Sequence, residues 1–149
     1  MTLKRQQYGF NLVEVLIALI IMSIGMLGIA GLYVNSLQAG RTSMFRQQAI
    51  TLAGDVADRI RANPTAGTAY TLAGSDKSCV STTADCSAED MAANDIFLWS
   101  QQAAESLPDG DVGVTRNGTP FPPEYTITIS WDEPGSTETY AVTIPVAGS

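Results

Sequence analysis

Val15 to Val34 is a run of twenty residues without a charge, and no charged residue follows it before Arg41. As a helix rising about 1.5 Å per residue, the run reaches roughly 30 Å, the depth of a bilayer's hydrocarbon core. A 149-residue chain is one domain plus an anchor, and its single domain cannot bury such a segment along its whole length. Lipid or other subunits must cover it. Glu14 stands immediately ahead of the run. An isolated carboxylate in hydrocarbon is costly, so it calls for a cation, and the chain offers none nearby on the apolar side. The expectation is a membrane-held helix whose carboxylate takes a positive group from another subunit.

A short basic leader with Lys4 and Arg5, the Gly9-Phe10 junction and Glu14 four residues after the phenylalanine resemble the class III signal of type IV prepilins. The resemblance implies that a prepilin peptidase cuts between Gly9 and Phe10 on the cytoplasmic side and methylates the new Phe10 amine. Glu14 would then be the fifth mature residue, and it would pair with the N-terminal ammonium of a neighbouring subunit during assembly. Such a pair is strongly favoured in hydrocarbon over either charge alone, although desolvation cancels much of the gain.

Charge is unevenly spread. From Thr65 to Ser149 there are twelve acidic residues against two basic ones, Lys77 and Arg116. A surface that acidic repels phosphate backbones, so direct nucleic-acid binding by the outer domain is not expected. Lys4 and Arg5 flank the apolar run on one side, Arg41 and Arg46 on the other, so charge alone barely sets the orientation. The two cysteines and the prepilin resemblance place the N-terminus in the cytoplasm and the C-terminal domain in the periplasm.

Gly25, Gly28 and Gly31 punctuate the apolar run, each at about 1 kcal/mol of helix propensity relative to alanine. Close helix packing in the membrane accounts for them. The resemblance implies a second account, a segment from Ser23 to Leu32 that loses helical order in the fibre. Further on, Phe45, Ala49, Leu52, Val56 and Ile60 form one apolar stripe, so the helix continues until Asn63-Pro64 stops it. Met44 and Phe45 are expected in the core. A helix from Phe10 to Ala62 would be about 80 Å long.

Thr65 to Ala84 reads as loop. Cys79 and Cys86 fit a disulfide closing a small loop, with two free thiols or a metal pair as alternatives. A Cys/His zinc site is excluded, since the chain has no histidine and no third cysteine. Ser87-Ala88-Glu89-Asp90 has the form of a helix start, and Ala92, Ile96, Trp99, Ala103 and Leu107 give a second amphipathic helix ended by Pro108-Asp109-Gly110. Trp99 is expected to pack this helix on the first. The last third switches to period two. Val112 and Val114 suggest one strand, Tyr125, Ile127, Ile129 and Trp131 a second, and Tyr140, Val142, Ile144 and Val146 a third. Asp132 to Thr139 is read as the connection between the latter two, with Pro134-Gly135 as its turn signal.

Catalytic chemistry is not expected. The usual general base and metal ligand is missing with histidine, and there is neither a phosphate-binding glycine loop nor a nucleophile elbow. Asp109 and Asp111 match only a fragment of a calcium loop. No cofactor is expected.

Beyond the signal, Asp58-Arg59-Ile60-Arg61-Ala62-Asn63, the Cys79/Cys86 pair, the Trp99 helix, Leu107-Pro108 and Ile127-Thr128-Ile129-Ser130-Trp131 resemble the PilV-type minor pilins, or type IV pilus modification proteins. The implied fold is α+β and pilin-like: a long N-terminal helix packed on a small antiparallel sheet, with one short extra helix. The implied organisation is a leader at 1–9 that is removed, a transmembrane and assembly helix at 10–35, and a periplasmic domain at 36–149. The implied partners are other minor pilins and the major pilin, the prepilin peptidase, and inner-membrane lipid before assembly. A minor pseudopilin of type II secretion carries the same signal. A single-span periplasmic binder or enzyme would keep an uncut N-terminus.

Overall fold

The computed structural model describes residue 9 and residues 11–80, 85–119 and 121–147. Helix α1 runs Leu12–Ala62, a short 3-10 helix follows at Pro64–Thr71, then helix α2 at Ala88–Ser106 and strands β1 at Asp111–Asn117, β2 at Glu124–Glu133 and β3 at Ser136–Pro145. The chain divides into two compact units, 1–41 and 42–149. The architecture is α+β and pilin-like: a long N-terminal helix, a short second helix and a three-stranded antiparallel sheet in the order β1-β2-β3.

In the first unit every described residue is exposed. The apolar side chains from Leu12 to Leu37 have no cover within the chain, and the membrane-length window of α1 is 0% buried. Burial begins at Ala49 and continues through Leu52, Ala53, Val56, Ala57 and Ile60. The stripe therefore holds as read and is widened by two alanines. Phe45 packs partly against the core. Met44 departs from expectation at 55% exposed. It lies one residue off the Phe45–Ala49 line, a turn of about 100° that takes its side chain away from the core.

The sheet alternates as the period-two pattern requires. Tyr125, Ile127, Ile129 and Trp131 are buried on one face of β2. Val112 pairs with Ile129 and Val114 with Ile127 on one side, and Val142 with Ile127 and Tyr140 with Ile129 on the other. The β2–β3 connection is tighter than the sequence suggested. Asp132, Glu133 and Ser136 to Thr139 are paired, leaving Pro134-Gly135 as a two-residue turn with Gly135 at φ +97°. That left-handed value suits the third position of a proline-led turn.

The segment read as plain loop from Thr65 to Ala84 is the main correction. Its first part is a 3-10 helix with Ala66 and Tyr70 buried. The helix is broken at Gly67, where φ +56° and ψ −119° demand glycine. Thr, Ala and Gly composition hid it, because short 3-10 pieces carry no 3.6-residue period to detect.

Candidate functional site

The first functional surface is the N-terminal stretch of α1. Asn11 precedes the helix, and its carbonyl accepts from the amides of Glu14 at 3.0 Å and Val15 at 3.3 Å. Glu14 thereby sits in the first turn, where the helix dipole favours a carboxylate. It is exposed and opens a surface on which Val15, Leu19 and Met22 are exposed as well. Such an apolar surface far exceeds the patches that soluble monomers tolerate. Gly9 is exposed, while Phe10 and the leader residues Lys4 and Arg5 lie outside the described residues. In the same unit the Ser23 hydroxyl donates to the Leu19 carbonyl at 2.7 Å, and Gly25, Gly28 and Gly31 are helical with open space around each.

The second feature lies in the other unit, where α1, the 3-10 helix and α2 meet. Arg59 donates from Nη1 to Asp95 Oδ1 at 2.8 Å, and its Nε lies 3.4 Å from Asp55 Oδ2. Tyr70 donates its hydroxyl to Asp95 Oδ2 at 3.2 Å and receives a hydrogen bond from Asn63 Nδ2 at 3.3 Å. Asn63 also donates to the Ala88 carbonyl at 2.8 Å. The Trp99 indole donates to Asp55 at 3.3 Å and its ring stacks on Tyr70, centroids 5.8 Å apart. Trp99 thus fastens α2 to α1 as expected. Burial pushes the Tyr70 hydroxyl up to about 12, with the Asp95 carboxylate adding to the shift and the Asn63 hydrogen bond opposing it. Asp95 is 3% exposed, and both its oxygens are engaged. That leaves it a structural acid rather than a catalytic one.

Cys79 and Cys86 form a disulfide with Cα atoms 5.9 Å apart, so neither is a free thiol or a metal ligand. The chain leading into it is tied down along α2. Ser75 N donates to the Ala93 carbonyl at 3.0 Å, and the buried Asn94 Oδ1 accepts from the amides of Lys77 at 3.0 Å and Cys79 at 3.4 Å. Gly74 is required here, since a Cβ would meet the Phe97 amide nitrogen at 2.5 Å. Past the disulfide, Ser87 caps α2 by accepting from Asp90 N at 3.1 Å. An open cavity of about 470 Å³ lies between Arg59, Asn63, Cys86 and Met91. Among the described residues no group of three or more His, Cys, Asp or Glu could hold a metal ion. Asp109 sits in the turn after α2, and Asp111 begins β1.

Sequence reasoning missed Tyr70, Asn94 and Asp95. Asp95 carried a usable signal: it falls three residues after Ala92 and four before Trp99, on the buried stripe itself. A carboxylate there must be paired.

A helix long and apolar enough to cross a membrane and left bare by the chain, joined to a disulfide-closed α+β domain, fits a membrane-anchored protein. Two family models match parts of the chain. Residues 4–30 match the prokaryotic N-terminal methylation motif, and residues 31–97 match the family described as Type IV pilin Tt1218. Over residues 4–97 the chain is therefore similar to type IV pilins that carry an N-terminal methylation motif. No curated protein and no solved structure matched it.

Proposed function

We propose that this chain is a type IV pilin, a minor, PilV-type subunit that is processed by prepilin peptidase, helps prime assembly of a type IV pilus and is carried at the fibre tip. Cleavage between Gly9 and Phe10 removes the leader. Methylated Phe10 then supplies the amine, Glu14 the pairing carboxylate, and the helix at 10–35 the packing surface. The domain at 36–149 faces the periplasm before assembly and the exterior afterwards. The observation that carries this reading is the uncovered α1 surface with one carboxylate in its first turn. Lipid covers the apolar side chains before assembly, but only a partner's cation compensates Glu14 in a dry environment. The minor-pilin reading draws further support from one neighbourhood. Arg59 and Asn63, the Cys79–Cys86 disulfide and Trp99, all part of the resemblance to PilV-type proteins, cluster where α2 meets the end of α1.

N-terminal sequencing of the mature protein tests the processing, with N-methylated phenylalanine expected at position 10; an intact leader overturns it. Glu14→Ala should leave membrane insertion unchanged and sharply reduce incorporation into the fibre or the priming complex. Normal incorporation would refute the pairing role. Co-purification with pilus subunits is expected; recovery with type II secretion components instead would reassign the machine.

A further inference from the structure

Five asparagines occur in the chain, and only Asn117 precedes a glycine. The others stand before Leu12, Ser36, Pro64 and Asp95. Of these, Asn35 lies inside α1, Asn63 donates to Ala88 and Tyr70, and Asn94 is 1% exposed. Asn117 is exposed at the last pair of the β1–β2 ladder, opposite Glu124, and Gly118 lies beyond the strand. Its side-chain carbonyl is polarised from one side. Asn117 Oδ1 accepts from the Thr119 amide at 3.2 Å and stands 3.4 Å from the Thr119 hydroxyl. Two donors on that oxygen are where a tetrahedral intermediate at Cγ would place its negative charge. Gly118, without a Cβ, leaves its own amide nitrogen free to approach. It is not glycine for steric reasons, since an added Cβ would meet only Arg116 Nη1, at 3.9 Å.

From this geometry we propose that Asn117 is a self-modifying site that converts to aspartyl and isoaspartyl forms as the pilin ages. The Gly118 amide nitrogen attacks Asn117 Cγ, with Thr119 stabilising the oxyanion. The bond from Gly118 N to Cγ forms, the bond from Cγ to Nδ2 breaks, and Nδ2 leaves as ammonia with the Gly118 proton. Solvent water then opens the cyclic imide at either carbonyl. No oxidant, metal or enzyme takes part. The product adds a carboxylate between Arg116 and Glu124, on a surface that is already acidic. The isoaspartyl form also lengthens the main chain by one atom, which removes the Asn117–Glu124 pair and loosens the loop bearing the 83% exposed Phe121. A fibre outside the cell has no access to resynthesis, so this mark accumulates with its age.

The test is to incubate the full-length protein in detergent under mildly alkaline conditions and follow intact mass, peptide maps and enzymatic isoaspartyl labelling. The expected result is a gain of about 1 Da, confined to position 117, with release of ammonia. Gly118→Ala should hold the fold, by circular dichroism, and bring conversion down to the background of the other asparagines. Thr119→Val keeps the amide donor, loses the hydroxyl and should slow conversion several-fold. Wild-type protein that does not convert, or converts at the rate of Gly118→Ala, overturns the site. Equal rates in wild type and Thr119→Val overturn the role given to the hydroxyl.

Discussion

Replacing Asp95 with alanine is the sharpest test of how the outer domain is held together. The change removes a charge-assisted hydrogen bond from Arg59 at 2.8 Å and a neutral one from Tyr70 at 3.2 Å. Bonds of these kinds contribute roughly 1.5–3 and about 1 kcal/mol respectively. Breaking a fully buried ion pair costs about 3–5 kcal/mol, because the orphaned charge stays dry. Here the orphan is not fully dry: the Arg59 side chain is 44% exposed and keeps Asp55 at 3.4 Å. Tyr70 also retains an alternative acceptor, the Arg59 carbonyl at 3.4 Å. The expected loss is therefore about 2–3 kcal/mol, which lowers the melting temperature by roughly 10 °C for a domain of this size. Urea unfolding of the full-length protein in detergent, followed by fluorescence of Trp99 and Trp131, gives the value directly. A double-mutant cycle with Arg59→Ala should return a coupling of about 1 kcal/mol or more. A loss below about 0.5 kcal/mol, the range of ordinary surface substitutions, would refute the reasoning. Strict additivity with Arg59→Ala would refute it as well.

Tyr70 gives the domain an alkaline limit. Its hydroxyl keeps its proton up to about 12 in the fold but only to about 10 when unfolded, so the folded state binds more protons in between. Stability should fall by on the order of 2 kcal/mol as pH rises from about 10 to about 12, and Tyr70→Phe should flatten that decline in unfolding curves. Cys79→Ser with Cys86→Ser should lose about 2–3 kcal/mol by the loop-entropy account, and reductant added to wild type should reproduce the loss. Gly74→Ala should destabilise by about 1–3 kcal/mol, because its Cβ meets main-chain atoms of α2 that cannot move aside; a neutral result by thermal melting would show that the strap along α2 is looser than described.

The parts of the fold that repeat were legible and the parts that do not repeat were hidden. The α1 stripe, the Trp99 helix and the three strands each announce themselves by spacing, and on α1, α2 and β2 the periods pick out most of the buried apolar positions. Tyr70 and Asn94 lie outside that logic. Tyr70 is buried from a 3-10 helix of eight residues, too short to show a period, and only its contacts with Asp95 and Trp99 explain it. Asn94 is buried because two backbone amides of a preceding segment need an acceptor, a demand invisible until that segment is placed. The site divides in the same way. The glycine–phenylalanine junction and Glu14 lie within one contiguous match to the N-terminal methylation motif at residues 4–30, so they are visible in one dimension. The Arg59–Asp95–Tyr70 contacts join residues 36 and 25 positions apart along the chain, which no local pattern encodes.

The same contrast explains how one chain can carry two unrelated solutions to burial. From Ala49 onward α1 spends its apolar face on the chain's own sheet and second helix, and alanines at 49, 53 and 57 allow close approach there. Ahead of Arg41 it has large aliphatic side chains all round and no internal cover. A helix apolar on every side has no preferred face, so it suits lipid equally at any rotation. Such a helix gains direction only from a polar mark, and Glu14 is the single charge within it. In the proposed assembly, where the helix leaves a fluid bilayer and adopts one register, that carboxylate would matter more than any particular apolar contact. Substitutions among the aliphatic residues should on this ground be tolerated far better than loss of Glu14.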